Sequence, residues 1–284
     1  MADDLARSII PDEFVPDSQR AAELNTGIPH IARIYDFWLG GKDNFAADRA
    51  VAQQMFEVSP HIAEGVRANR AFLRRAVRYL AAEAGIGQFL DIGTGLPSPG
   101  NTHEIAQAVN PAAHVVYTDN DPIVLAHARA LLTSDPRGAT SYLDADVRDP
   151  DAILAGAAGL LDFGQPVAVI LGALLHVIAD EEDPYAIVAR LMASAPAGSY
   201  LVISHGASDI AAEMMAALSA RLNAVMPSGQ KPAFRDRAGV AQFFTGFELA
   251  EPGLVPITEW RPDGETHVDP GVPISMWGAV GRKI

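Results

Sequence analysis

Three acids in the middle of the chain each close a short aliphatic or β-branched run: Asp91 in QFLDIGTGLP, Asp119 in VVYTDN and Asp146 in LDADV. Gly93, Thr94 and Gly95 follow Asp91 in the pattern D-x-G-x-G. Glycines at such a strand end let backbone approach a ligand closely, and the acid can accept a hydrogen bond from an amine or ammonium. Asp119, with Asn120 beside it, has the type and place to accept both hydroxyls of a ribose. Asp146 suits an exocyclic adenine amine, with Val147 packed on the ring. Any one of these acids alone would serve as readily as a helix N-cap or a turn residue. Three in register on neighbouring strands point to one ligand.

That ligand is expected to lack a pyrophosphate held in the loop. The dinucleotide pattern G-x-G-x-x-G/A meets Ser98 at its third position, between Pro97 and Pro99, and prolines remove the N–H donors a pyrophosphate requires. The phosphate-loop pattern G-x-x-x-x-G-K-[ST] is absent from the sequence. A nicotinamide oxidoreductase would use the same fold but wants the third glycine. A non-catalytic sensor of the same ligand would look identical in this half.

Further on, His176 in ILGALLHVIADEED follows the fourth expected strand, where a substrate-facing base would stand, and equally where a histidine would cap or pack. Gly172 ends that strand. Tyr35, Asp36, Trp38, Lys42 and Asn44 surround Gly40-Gly41, a pair that could let a segment fold over a ligand, although Ile31, Ile34, Tyr35 and Trp38 also have the spacing of a buried helical stripe. Arg67, Arg70, Arg74 and Arg75 read as a solvated helix face, with Arg70 beside Asn69 able to reach a carboxylate. Met214-Met215 reads as core. His30, His61, His103 and His127 show no metal-ligand spacing, and the chain has no cysteine, so no metal site is expected.

The elements that must position these residues alternate from residue 87 onward. Strands are expected at 88–92, 114–118, 140–144, 167–171 and 199–204, with helices at 101–109, from Pro122, at 150–158, 184–195 and 209–225. This is the signature of a parallel sheet with crossover helices. Asn101 with Glu104 reads as a capping box, and Pro122 sits at a first helical position. Two last strands, 247–260 and 274–283, have no helix between them and should pair antiparallel. The division is an irregular segment 1–28, a helical extension 29–86 with helices at 31–56 and 61–84, and a main α/β domain 87–284.

With 284 residues, 49% hydrophobic and 20% charged, the chain can bury a large core. The net charge of −14 repels phosphate backbones and anionic lipids, so no nucleic acid or membrane partner is expected. The acidic start MADDLARSIIPDEF is unlike a signal peptide, no apolar run reaches membrane-spanning length, and a cytoplasmic location is expected. Nothing in the pattern sets an oligomeric state.

The combination resembles class I S-adenosylmethionine-dependent methyltransferases. Asp91-Ile92-Gly93-Thr94-Gly95 resembles their first motif, Asp119 their ribose-binding acid, Asp146 their adenine-site acid, and the terminal hairpin ending GAVGRK their last strands. IPHIARIYDFWLGGKDNFAADR is similar to the N-terminal signature of a bacterial family of candidate methyltransferases long catalogued as a domain of unknown function. The resemblance implies a Rossmann-like, doubly wound seven-strand sheet with an antiparallel last strand, preceded by the helical extension. It implies S-adenosylmethionine as cofactor and a small-molecule methyl acceptor that it does not name. The implied cofactor set is Asp91, Gly93, Thr94, Gly95, Asp119, Asn120, Asp146, Val147 and Gly172, with Tyr35 and Lys42 from the extension. Methyl transfer demands mainly positioning, so His176 is the one expected catalytic side chain.

Overall fold

The computed structural model describes residues 25–131, 134–264, 268–269 and 271–284, so the segment expected to be irregular at 1–28 lies almost wholly outside the described residues. Eight strands form one sheet. They are β1 (Gln88–Ile92), β2 (His114–Asp119), β3 (Ala139–Asp144), β4 (Ala168–Gly172), β5 (Tyr200–Gly206), β6 (Phe247–Leu249), β7 (Val255–Pro256) and β8 (Met276–Lys283). Their order is β3-β2-β1-β4-β5-β8-β6, with β7 pairing β8 beside β6. β1 to β5 are mutually parallel, and β8 runs antiparallel to β5, β6 and β7. Order reverses at β1, whose neighbours are β2 on one side and β4 on the other. The crevice at the carboxyl ends of β1 and β4 is therefore where a doubly wound sheet binds ligands.

The antiparallel ending is as expected, but the single strand foreseen at 247–260 is two, which makes eight strands instead of seven. Between them Pro252 has no N–H for a ladder, and Gly253 stands at φ 91°. The chain turns there and rejoins β8 one step further along.

Helices flank both faces: α1 (Ile31–Leu39), α2 (Ala46–Phe56), α3 (Ile62–Ala82), α4 (Thr102–Val109), α5 (Pro122–Leu131), α6 (Pro150–Ala157), α7 (Pro184–Ala193), α8 (Ala212–Val225) and α9 (Arg237–Gln242). Among the described residues none is long and apolar enough to cross a membrane. Alternate strand residues feed opposite faces. Leu90, Ile92, Val169 and Leu171 pack with α6 and α7, whereas Phe89, Val115, Ile170 and Val202 pack with Phe72, Ala76 and Leu80 of α3. Phe72 meets Trp260 edge-on, ring centroids 5.5 Å apart. Burying each such ring stabilises by roughly 1.5–3 kcal/mol. α3 thus belongs to the sheet's own core.

α1 and α2 instead close a third cluster with α8, in which Ile34, Trp38, Met55, Leu218 and Leu222 are buried. A buried ionic knot ties them to the sheet. Asp48 accepts from the His30 and Phe45 amides at 2.9 and 2.8 Å and pairs with Arg33, which with His30 also reaches Asp121 at the start of α5. Asp121 lies two residues beyond Asp119. The extension is therefore anchored at the rim of the expected ligand crevice.

The glycine pair has a packing explanation, contrary to the reading of it as a mobile cover. Gly40 ends α1 at φ 83°, its amide bonded to the Asp36 and Phe37 carbonyls, and a Cβ on Gly41 would run into the Asp36 carboxyl. That carboxyl accepts from the Asp43 amide and from Asn44 Nδ2 at 3.0 and 2.7 Å. Burial raises the Asp36 pKa against these bonds. Asp36 and Asn44 are buried turn-formers.

Candidate functional site

A cleft opens at the carboxyl ends of β1 to β4 and is walled on the far side by α1 and α3. It gathers Asp91, Gly93, Thr94, Gly95, Asp119, Asn120, Asp146, Val147, Gly172 and Tyr35. Gly93 and Gly95 have φ 68° and 65°, values that favour glycine. A Cβ on Gly93 would also press to 2.7 Å from the Leu174 side chain, whereas one on Gly95 would meet only open space. Gly95 is the point where backbone can approach a ligand.

The acids differ in their settings. Asp91 accepts from Thr102 Oγ1 at 2.6 Å, and burial raises its pKa to about 6. Asp119 accepts from the Gly95 and Asp121 amides, both at 2.9 Å, and burial again outweighs those bonds to give about 6. Each carboxylate oxygen retains acceptor capacity toward the cleft. Burial opposes ionisation of Asp146 too, but the Arg148 amide and guanidinium and the 2.8 Å bond from Asn120 Nδ2 more than offset it, leaving the pKa lowered.

Two expected residues stand elsewhere. Lys42 is exposed in an adjoining groove with Gly40, Gly41 and Arg67, which shares Arg70 and Arg74 with the cleft, because the turn that closes α1 carries Lys42 away from the sheet edge. His176 lines a second, largely apolar cavity behind the cleft. Its Nδ1 accepts from the Gly206 amide at 3.2 Å, and burial, with the nearby Arg235 cation, pushes its pKa down to about 4. A neutral ring that uses Nδ1 as acceptor carries its proton on Nε2. Tyr35 borders both cavities, its hydroxyl donating to the Val66 carbonyl and accepting from Asn69 Nδ2.

The arginine series is not one solvated face. Arg67 is exposed, Arg70 and Arg74 line the cleft, and Arg75 is buried with bonds to the Trp260 and Ile257 carbonyls. Part of α3 borders the carboxyl edge of the sheet, so Asn69, Arg70 and Arg74 line the crevice. Arg148 escaped the sequence reading altogether; it links Asp146 to Glu182 and to the Gly229 carbonyl, and its charge two residues after the acid was the available signal. The four histidines without metal-ligand spacing each have a partner: His30 with Asp121, His61 with Glu64, His103 with Tyr117 and His127 with Asp43. Among the described residues no group of acids and histidines could hold a metal ion.

A family profile described as S-adenosyl methyltransferase matches residues 17–284. A DUF574 family protein from Streptomyces avermitilis MA-4680 is 43% identical, with a TM-score of 0.87 over 92% of this chain and 100% of its own. A protein from Thermobifida fusca YX described as a candidate methyltransferase is 40% identical, with a TM-score of 0.84 over 92% of this chain and 97% of its own. An O-methyltransferase family protein from Burkholderia thailandensis, 13% identical with a TM-score of 0.51 over 78% of this chain and 59% of its own, shares the fold alone. No match was found among curated proteins.

Proposed function

The chain belongs to the S-adenosyl methyltransferase family, and from that premise we propose that it transfers a methyl group to a small-molecule acceptor, with the family's cofactor in the cleft at the β1–β4 edge. The observation that carries this reading is the convergence of Asp91, Asp119 and Asp146 on one cleft. When bound, S-adenosylmethionine supplies an activated methyl on a sulfonium.

The cleft's residues fit that cofactor. Asn69 Oδ1 and Arg70 Nε are buried without a protein partner and both residues line the cleft beside Asp91. An orphaned acceptor and an orphaned cationic donor suit an ammonium and a carboxylate on one carbon, the amino-acid end of the cofactor. Asp91, Gly93, Thr94 and Gly95 would bound that end, and Gly172 its far side. Asp119 would take the ribose hydroxyls, and Asn120, Asp146 and Val147 the adenine. Tyr35 closes the cleft over the sheet edge. Residues 29–86 then act as part of the catalytic body formed with 87–284, since the extension supplies two walls of the cleft. His176, neutral and protonated on Nε2, orients an acceptor as a hydrogen-bond donor.

Arg70→Met separates the two ends of the ligand. Affinity for S-adenosylhomocysteine should fall about tenfold or more, by loss of a charge-assisted bond worth roughly 1.5–3 kcal/mol. Affinity for methylthioadenosine, which has no amino-acid end, should not change. Equal losses for both ligands, or none for either, would contradict the assignment.

A further inference from the structure

The second cavity has three properties that together define its occupant. Among the described residues that line it, none is Lys, Arg, Asp or Glu. Its walls are mainly hydrocarbon and sulfur, from Trp38, Met214, Met215, Leu218, Leu222 and Phe234, and of the polar residues that also line it Tyr35, Gln230 and Ser275 are already bonded to the protein. It meets the cofactor cleft along Ile31, Tyr35, Ala173, Val177 and Gln230, which border both spaces. A charged molecule entering would lose its hydration without a partner, at a cost far above what apolar contact returns.

Gly65 adds an independent observation. It lies within α3, where glycine costs up to about 1 kcal/mol relative to alanine. Its φ is not in the left-handed region, and a Cβ there would meet nothing within 4 Å. Neither backbone geometry nor close packing asks for glycine. It lines the cavity, and the space around its Cα is open.

We infer that this cavity is the acceptor pocket, that it takes an uncharged, largely apolar small molecule presenting one hydrogen-bond acceptor toward His176, and that Gly65 keeps the space open for it. This rests on the assignment of the neighbouring cleft to the cofactor. His176 supplies the polar contact. Its Nδ1 is occupied by the Gly206 amide, so Nε2–H is the group left to donate. The flexible pair Met214-Met215 allows the wall to adapt to a rigid ring system. At the shared boundary, where Tyr35 and Ala173 stand, an N–H or O–H of the acceptor would form its bond to the methyl as the sulfonium C–S bond breaks, leaving a neutral thioether, and the acceptor's proton would pass to solvent.

The test uses the full chain and N-phenyl-naphthylamine, a neutral fluorophore that brightens in apolar surroundings, beside its sulfonated anionic analogue. The wild type should bind the neutral probe, and at least about tenfold more weakly the anionic one, with S-adenosylhomocysteine bound at the same time. Gly65→Phe should fill the pocket, cutting affinity for the neutral probe at least about tenfold, while calorimetric affinity for S-adenosylhomocysteine and the melting temperature hold. Gly65→Ala, which adds one methyl and favours the helix, should give a smaller loss and keeps the test informative if the larger side chain disturbs folding. Unchanged neutral-probe binding in both variants, or equal binding of the two probes, would overturn the pocket assignment. Failure of the wild type to bind S-adenosylhomocysteine would instead overturn the reading of the cleft.

Discussion

The two adjoining cavities are built on opposite principles. The cleft at the sheet edge is made of charges held under strain of burial: Asp91 and Asp119 both have pKa values lifted to about 6, and Asp146 stays ionised through Arg148 and Asn120. The cavity behind it has apolar walls and a histidine held neutral. A pair of carboxyls with pKa values near 6 is costly for a folded protein and useful to a cationic, hydroxyl-rich ligand. An apolar space costs little in charge but leaves cohesion unmade. The contrast teaches that one cavity is tuned for recognition by donors and charge, the other by shape and exclusion of water.

Proton concentration should break the contrast most widely. An ammonium and two ribose hydroxyls all donate, so they need Asp91 and Asp119 ionised. With both pKa values at about 6, affinity for S-adenosylhomocysteine should fall between pH 7 and pH 5 by up to roughly a hundredfold, about tenfold per acid. Binding of the neutral probe in the apolar cavity should stay level over that range. The ligand-free stability has the opposite sign. Each acid's folded pKa lies above its ordinary 3.8, so the folded chain holds protons the unfolded chain has released, and stability declines as pH rises from about 4 to about 6. Calorimetric titrations and thermal melts across this window read both.

Asp119→Ala should weaken cofactor binding by at least about tenfold, since it removes a carboxylate accepting charge-assisted bonds of roughly 1.5–3 kcal/mol each. It also frees the Gly95 and Asp121 amides, loosening the loop. Asp119→Asn, which keeps the shape and one acceptor, should fall between. Asp144→Ala, at an exposed strand end, should do little. Arg148→Ala comes next, with a loss of about threefold, the scale of a partly exposed ion pair. Leu218→Ala, in the apolar wall, should lower stability by about 2–4 kcal/mol while cofactor affinity changes less than about twofold.

The sequence made the cleft's sheet side legible because each acid stands at or just beyond the carboxyl end of a strand and the glycines follow one in fixed spacing, so local pattern and position coincide. Its helical wall was not legible. Periodicity in α3 separates an apolar from a polar stripe, but not a polar stripe facing water from one facing a crevice, and Arg67, Arg70 and Arg75 have three different fates on one helix: exposed, lining the cleft, and buried. Lys42 was misplaced for a related reason. Gly40-Gly41 looked like a hinge, whereas the buried Asp36 carboxyl fills the space a Gly41 side chain would need. The apolar cavity is invisible in sequence, since its walls come from residues near 31–38, 59–66, 173–177, 206–234 and 273–276, joined only by the fold.

The central claim is that the acid-lined cleft holds S-adenosylmethionine, and the most direct measurement is a calorimetric titration of the wild type with S-adenosylmethionine and with NAD, each repeated on Asp119→Ala. The account predicts one saturable site for S-adenosylmethionine, weakened at least about tenfold by the substitution, and no comparable binding of NAD, because Pro97 and Pro99 deny a pyrophosphate its donors. Preferential binding of NAD by the wild type, or unchanged S-adenosylmethionine binding in Asp119→Ala, would contradict it.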